Sequence, residues 1–179
     1  GLYTAIYFVV FFIVGMLGIM PVLYPFLYVL WPLACGIPFM LFLSKVNKFG
    51  MVSIMGVIMG VAFFLMGYTW LPLLSWVACG LIADFIFNAG GIKSFKKAIL
   101  GYWVFSCGMI GCQAPMWLMT DSYMANIRAD YGEQLTSQLM QYMPWWIGIA
   151  AIPMILIGSW LGALLGRKII RKHFEKAGI

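Results

Sequence analysis

The chain has 179 residues, 64% of them hydrophobic, with a mean hydropathy of +1.00. Soluble domains run near about 45–50% apolar, so this is the composition of a lipid-embedded protein, and at roughly 20 residues per helical span no length remains for a separate catalytic domain. The net charge of +6 does not point to nucleic acid, because the basic residues cluster at the ends of apolar blocks.

Gly1 is not an initiator methionine, so the natural N-terminus is expected a few residues upstream. A cleaved signal peptide is not expected, because apolar blocks recur along the chain and no polar cleavage site follows the first. Span one covers about 2–20, with Thr4 near its start and Gly15 and Gly18 loosening its far end. Its Gly1-x-x-x-Ala5 pair has the small-xxx-small spacing that admits a second helix, although glycine-rich helices also produce it by chance. A connection with Pro21 and Pro25 leads to span two, 26–46, where Pro32, Gly36 and Pro38 predict a bent or broken helix.

A tight turn with Lys45, Asn47, Lys48 and Gly50 precedes span three, 51–66, whose Gly56 and Gly60 permit close packing. The turn over 67–72 places Tyr68 and Trp70 at the depth of an interfacial aromatic belt. Span four, 73–87, carries Asp84 near its end, a carboxylate expected to snorkel, cap a neighbour or pair with a lysine rather than carry protons. After a break at 89–91 and Lys93, Lys96 and Lys97, span five runs over 98–116. The polar stretch 120–141, with Asp121, Arg128, Asp130 and Glu133, is expected as an outer loop or surface helix. Span six, 144–165, opens on Trp145 and Trp146, contains Pro153, Gly158, Gly162 and Gly166, and runs into a basic tail.

The expected fold class is therefore all-α: one polytopic membrane domain, a compact bundle of six transmembrane helices. A membrane β-barrel does not fit, because its strands are short and alternate in polarity while these blocks are apolar on all sides. If the start lies inside and each block crosses once, ten of the eleven basic residues fall on the side of both termini, leaving Arg128 alone outside. The positive-inside rule then makes both ends cytoplasmic.

Catalysis needs convergent polar groups of matched pKa, and the spans carry almost none, so no enzyme is expected. Cys35, Cys79, Cys107 and Cys112 lie in apolar stretches and are expected as buried thiols rather than disulfides. No metal site is expected: Cys107 and Cys112 have no histidine nearby, and His173, the single histidine, lies in the tail. There is no phosphate-binding glycine loop with a lysine, so ATP-driven transport would need an ATPase on another chain.

The outer end carries the candidate site. Gln113, Trp117, Asp121 and Tyr123 leave span five, Arg128 follows, and Trp145 and Trp146 stand at the entry to span six. An aromatic and methionine wall with a few donors and acceptors suits a flat organic solute; the same residues also suit an amphipathic lid anchored by its tryptophans, and a lid can belong to a pocket. Arg128 is placed either to meet a solute carboxylate or phosphate or to pair with Asp121 or Glu133.

The length, six spans, both ends inside and glycine-rich packing resemble the substrate-binding S component of energy-coupling factor (ECF) transporters, and more closely the Trep_Strep family assigned to those components. The stretches that carry the resemblance are TAIYFVVFF (4–12), GIPFMLFLSKVNKFG (36–50), GGIKSFKKAILGYWVFS (90–106), PMWLMTDSY (115–123) and LLGRKIIRKHFEKAGI (164–179). The resemblance implies a subunit of a bacterial plasma membrane that binds a vitamin-like or cofactor-like nutrient from outside. It would then join a transmembrane coupling (T) subunit and two cytoplasmic ATPases, topple, and release the solute inside. In better-known members an A-x-x-x-A pattern on the first helix meets the coupling subunit; Gly1 and Ala5 stand at that spacing here, with glycine in the first place. The solute is left open, a planar or porphyrin-like compound being one fit to the tryptophan and methionine content. The rival expectations are a stand-alone secondary carrier, for which Asp84 is a thin ionisable basis, and a structural or assembly membrane protein or intramembrane enzyme.

Overall fold

The computed structural model describes residues 1–46, 48–89 and 94–173. Expectations that rest on Asn47, the break at Gly90 and Gly91, Lys93, the side chain of His173 and the tail at 174–179 fall outside the described residues. The helices are α1 (Leu2–Gly15), α2 (Leu27–Lys45), α3 (Met51–Leu65), α4 (Trp70–Asn88), α5 (Phe95–Ser106), α6 (Ile110–Leu118), α7 (Thr120–Tyr131), α8 (Glu133–Tyr142) and α9 (Trp145–His173). Short 3-10 stretches at Met16–Ile19 and Pro21–Phe26 join α1 to α2, and another at Cys107–Met109 joins α5 to α6. Among the described residues, four segments are long and apolar enough to cross a membrane: Leu2–Ile19, Pro21–Lys45, Trp70–Asn88 and Trp145–Lys172, with the apolar α3 shorter. The chain is an all-α, multi-pass membrane bundle.

Local chemistry explains where the elements depart from their expected bounds. Pro32 and Pro38 do not break α2, which stays helical throughout. Neighbouring helices bind this region: Tyr102 of α5 donates to the Pro32 carbonyl at 2.6 Å, and Trp31 donates through Nε1 to the Phe11 carbonyl of α1 at 2.8 Å. α4 begins at Trp70, inside the expected turn and three residues before the expected span, because Pro72 falls in the first helical turn, where its missing N–H has no intrahelical acceptor to lose. The expected fifth span is divided by the 3-10 turn, and Ser75 of α4 donates to the Gly108 carbonyl there at 2.8 Å. The polar stretch folds as two short helices, α7 and α8, hinged at Gly132, whose φ of 86° suits glycine.

Hydrocarbon gives helices no hydrophobic reason to associate, so close packing must do it. α9 lies along α2, and α3 along α4. In the first seam Gly36 of α2 meets the backbone of Gly162 of α9, and a Cβ on Gly36 would sit inside that backbone. In the second, Gly56 of the predicted G-x-x-x-G meets the Trp76 carbonyl in the same way. Between the seams lies an aromatic core: Phe11 stacks on Trp31 with centroids 4.7 Å apart, Phe39 stacks on Tyr102 at 4.5 Å, and Trp76 meets Phe105 edge-on at 5.1 Å. The four cysteines are free thiols, with Cys35 and Cys112 buried and Cys79 and Cys107 half-buried.

The bundle has two unlike ends. At the basic end, the end of α2, the start of α5 and the end of α9 gather Lys45, Lys96, Lys97, Arg167, Lys168, Arg171 and Lys172. Asp84 lies on α4 toward this end, only 3% exposed, and caps α3: it accepts from the Ser53 amide at 2.6 Å, the Val52 amide at 3.3 Å and the Ser53 hydroxyl. Those are first-turn donors without intrahelical partners, beside the positive end of the helix dipole, so they satisfy the carboxylate in place. Of the expected roles for Asp84, capping a neighbour is the one observed. At the opposite end, the α7–α8 hairpin lies over the 3-10 stretch Pro21–Phe26.

Candidate functional site

Under the hairpin, five separate stretches converge. Gln113 projects from α6 into the bundle and is 2% exposed, yet its Oε1 has no hydrogen-bond partner. The Tyr24 hydroxyl, from the 3-10 stretch, lies within hydrogen-bond reach of the Gln113 side chain and interacts electrostatically with Tyr28, Tyr68 and Tyr123. Tyr28 stands in the first turn of α2, fully buried, with its hydroxyl unpartnered. Thr69, before α4, has a buried and unpartnered Oγ1 as well. Tyr123 enters from α7. Burial raises its phenol well above the ordinary tyrosine range, and nearby Tyr68, Cys112 and Tyr131 add to the shift, so it stays a neutral donor.

An unmade hydrogen bond on a buried polar atom costs about 1–3 kcal/mol, so three such atoms at one end form an energetic deficit that a partner molecule would relieve. The lining is neutral: one amide, hydroxyls and rings. It can donate and accept while stacking against a flat surface, and it supplies no full charge. A deeper group of buried polar atoms, Tyr7 Oη, Trp76 Nε1 and Ser106 Oγ, is enclosed by the aromatic core. Cys112 adjoins both groups, interacting with Tyr28 and Trp76.

The structure brings together only part of the residue set picked out in the sequence. Gln113 and Tyr123 lie in the cluster. Trp117 stands beside it: its Nε1 donates to the Met143 carbonyl at 3.0 Å and its ring covers Gly148, so it pins α6 to the start of α9. Asp121 is exposed. Arg128 pairs with Glu133 at 2.5 Å across the Gly132 hinge, on open surface. Trp145 and Trp146 are 70% and 53% exposed, the posture of interfacial anchors rather than pocket walls. Gly1, just before α1, and Ala5 on it are exposed, while Thr4, Tyr7 and Phe11 of the same helix are buried.

Tyr24, Tyr28 and Thr69 carry no mark in the sequence analysis, and Tyr68 is assigned there to the belt. A signal existed in the distribution of hydroxyl-bearing rings. Six of the nine tyrosines, Tyr24, Tyr28, Tyr68, Tyr123, Tyr131 and Tyr142, fall at the hairpin end.

Residues 1–176 match the family described as hypothetical bacterial integral membrane protein (Trep_Strep). The chain belongs to this family of bacterial, multi-pass membrane proteins. No curated protein and no solved structure gives a significant match.

Proposed function

We propose that the chain is a solute-binding S component of an ECF-type transporter, capturing a small organic nutrient or cofactor beneath the α7–α8 hairpin. The observation that carries this assignment is Gln113: a side chain 2% exposed, with an unpartnered Oε1, facing a ring of tyrosines under a polar hairpin. A core residue selected only for packing would not hold a half-satisfied amide in lipid surroundings. The site in this proposal comprises Gln113, Tyr24, Tyr28, Thr69 and Tyr123, with Trp117 holding the hairpin's root and Arg128 at the rim. Its neutral lining favours a solute that offers hydrogen-bond donors and acceptors on a flat ring, and a porphyrin-like compound fits that description.

The accompanying topology has all six apolar stretches crossing, with α3 short and α5–α6 divided, and both termini cytoplasmic on the strength of the basic bias. The chain then does no chemistry of its own. Energy comes from two cytoplasmic ATPases through a coupling subunit, for which the exposed Gly1–Ala5 face of α1 offers a close-packing surface. The test is mass spectrometry of small molecules that copurify after gentle extraction, comparing wild type with Gln113→Leu. One compound retained by wild type and depleted in the variant is expected. Retention of no compound, or equal retention by both, would remove the assignment.

A further inference from the structure

Inside the aromatic core, two buried hydroxyls approach one another without bonding. Tyr7 of α1 and Ser106 at the end of α5 are both 0% exposed, and neither Tyr7 Oη nor Ser106 Oγ has a hydrogen-bond partner among the described residues. The Tyr7 ring meets Phe105, the residue before Ser106, edge-on at 5.8 Å, and meets Phe39 edge-on at 6.2 Å. Tyr102 stacks on Phe39 at 4.5 Å and stands one helical turn before Ser106, so the two share a face of α5. Ser106 interacts with the hydroxyls of both Tyr7 and Tyr102, yet its Oγ makes no hydrogen bond of ordinary length and direction to either. The Tyr102 hydroxyl donates to the Pro32 carbonyl at 2.6 Å and can still accept. Leaving two buried hydroxyls unmet costs more than immobilising one water that meets both, and a polar gap just too long for a direct bond is where proteins hold an internal water.

We propose that Tyr7, Ser106 and Tyr102 form a binding site for one ordered water enclosed within the bundle. The water accepts from Tyr7 Oη and donates to Ser106 Oγ and Tyr102 Oη, which is the usual complement for an internal water. Hydrogen bonds from Trp31 to the Phe11 carbonyl and from Cys35 to the Tyr7 carbonyl already tie α1 to α2. The water adds a link from α1 to α5. That second link fixes how α1 is turned about its axis, because only one face of the helix carries Tyr7 inward. In lipid, where apolar contact gives helices little reason to choose an orientation, such a polar pin sets it. The proposal stands independently of the transport assignment.

The experiment uses the full chain in detergent and a short X-ray pulse, which splits water into hydroxyl radicals where it is bound. Oxidised side chains are then read by mass spectrometry. Tyr7 should be oxidised despite its complete burial. After brief mixing with heavy-oxygen water, Tyr7 should still take up light oxygen, because an enclosed water exchanges slowly, while Tyr131, 70% exposed, takes up the heavy isotope. Ser106→Ala removes one of the water's acceptors and should abolish Tyr7 oxidation. Ser159→Ala, at an equally buried serine of α9, should leave it unchanged. No oxidation of Tyr7 in wild type overturns the proposal, since the hydroxyls would then be closed by direct contact. Heavy oxygen entering Tyr7 as fast as Tyr131 also overturns it, since bulk water would be reaching the core by opening of the bundle. Undiminished Tyr7 oxidation in Ser106→Ala would remove the water from this site. If that variant fails to fold, the isotope comparison on wild type still decides.

Discussion

Asp84 and Gln113 are the two most instructive buried polar side chains, one toward each end of the bundle, and their circumstances are opposite. Asp84 accepts from two backbone amides and a hydroxyl, all at the start of α3. Gln113 is as deeply buried and has an oxygen that meets nothing. Burial alone therefore does not mark a functional residue, even for a carboxylate in lipid, where a charged group invites suspicion of proton or ion traffic. The completeness of the partners separates them. A satisfied group is explained by the fold, and an unsatisfied one asks what satisfies it.

The largest expected effect follows from breaking the satisfied end. Asp84→Ala leaves first-turn amides of α3 without their acceptor, and with charged hydrogen bonds contributing about 1.5–3 kcal/mol each, a loss on the order of 3 kcal/mol is expected. Thermal unfolding in detergent measures it. Solute binding per folded molecule should be unchanged, and selective loss of binding would return Asp84 to the transport machinery. Next in size is Gly36→Ala. Its Cβ has no room against Gly162, so α2 and α9 must separate, at a cost of about 1–3 kcal/mol. A melting temperature equal to wild type would mean that this seam is looser than its contacts indicate.

The all-α architecture and the close-packing Gly56 of α3 were legible in the sequence because they rest on local composition and on spacing within one helix. The break expected at Pro32 and Pro38 did not occur, because whether a proline breaks a helix depends on neighbours that local sequence does not show. The Asp84 cap was legible only as one of several options, since its donors lie 31 and 32 residues away and nothing local points to Ser53 and Val52. The candidate site was half legible. Gln113 and Tyr123 stand on either side of the entry to the polar stretch, where a reader looks. Tyr24 and Thr69 come from connections and Tyr28 from the first turn of α2, and their placement depends on how α1–α4 pack. Arg128 drew attention as the lone basic residue at the hairpin end, but Glu133, five residues on, brings its partner across the single-glycine hinge.

Sharpening the comparison at the unsatisfied end separates affinity from stability. Gln113→Leu removes the orphaned acceptor and the Tyr24 contact together at nearly constant volume, so the gain from one offsets the loss of the other and folding stability should change by no more than about 1 kcal/mol. Affinity for the copurified compound should fall at least about tenfold, or roughly 1.4 kcal/mol. A loss of several kcal/mol in stability alongside the loss of affinity would show that partners within the fold satisfy the Gln113 amide beyond its contact with Tyr24, and the contrast with Asp84 would collapse.

The smallest effect belongs to Arg128→Gln. Its side chain is 52% exposed and that of Glu133 71%, so solvent and salt screen the pair, and surface ion pairs of this kind contribute about 0–1 kcal/mol. The melting temperature should hardly move, and the small change should shrink further at high salt. Binding is the more informative readout. Glu133 already neutralises the guanidinium, so an anionic solute group would have to displace a carboxylate at 2.5 Å before using it. A solute recognised by the neutral amide and hydroxyls beneath α7 should therefore bind Arg128→Gln with unchanged affinity. A tenfold loss in this variant, with Glu133→Gln binding more tightly than wild type, would show that the solute competes with Glu133 for the arginine. Recognition would then lie partly on the charged rim of the hairpin rather than wholly among the neutral groups below it.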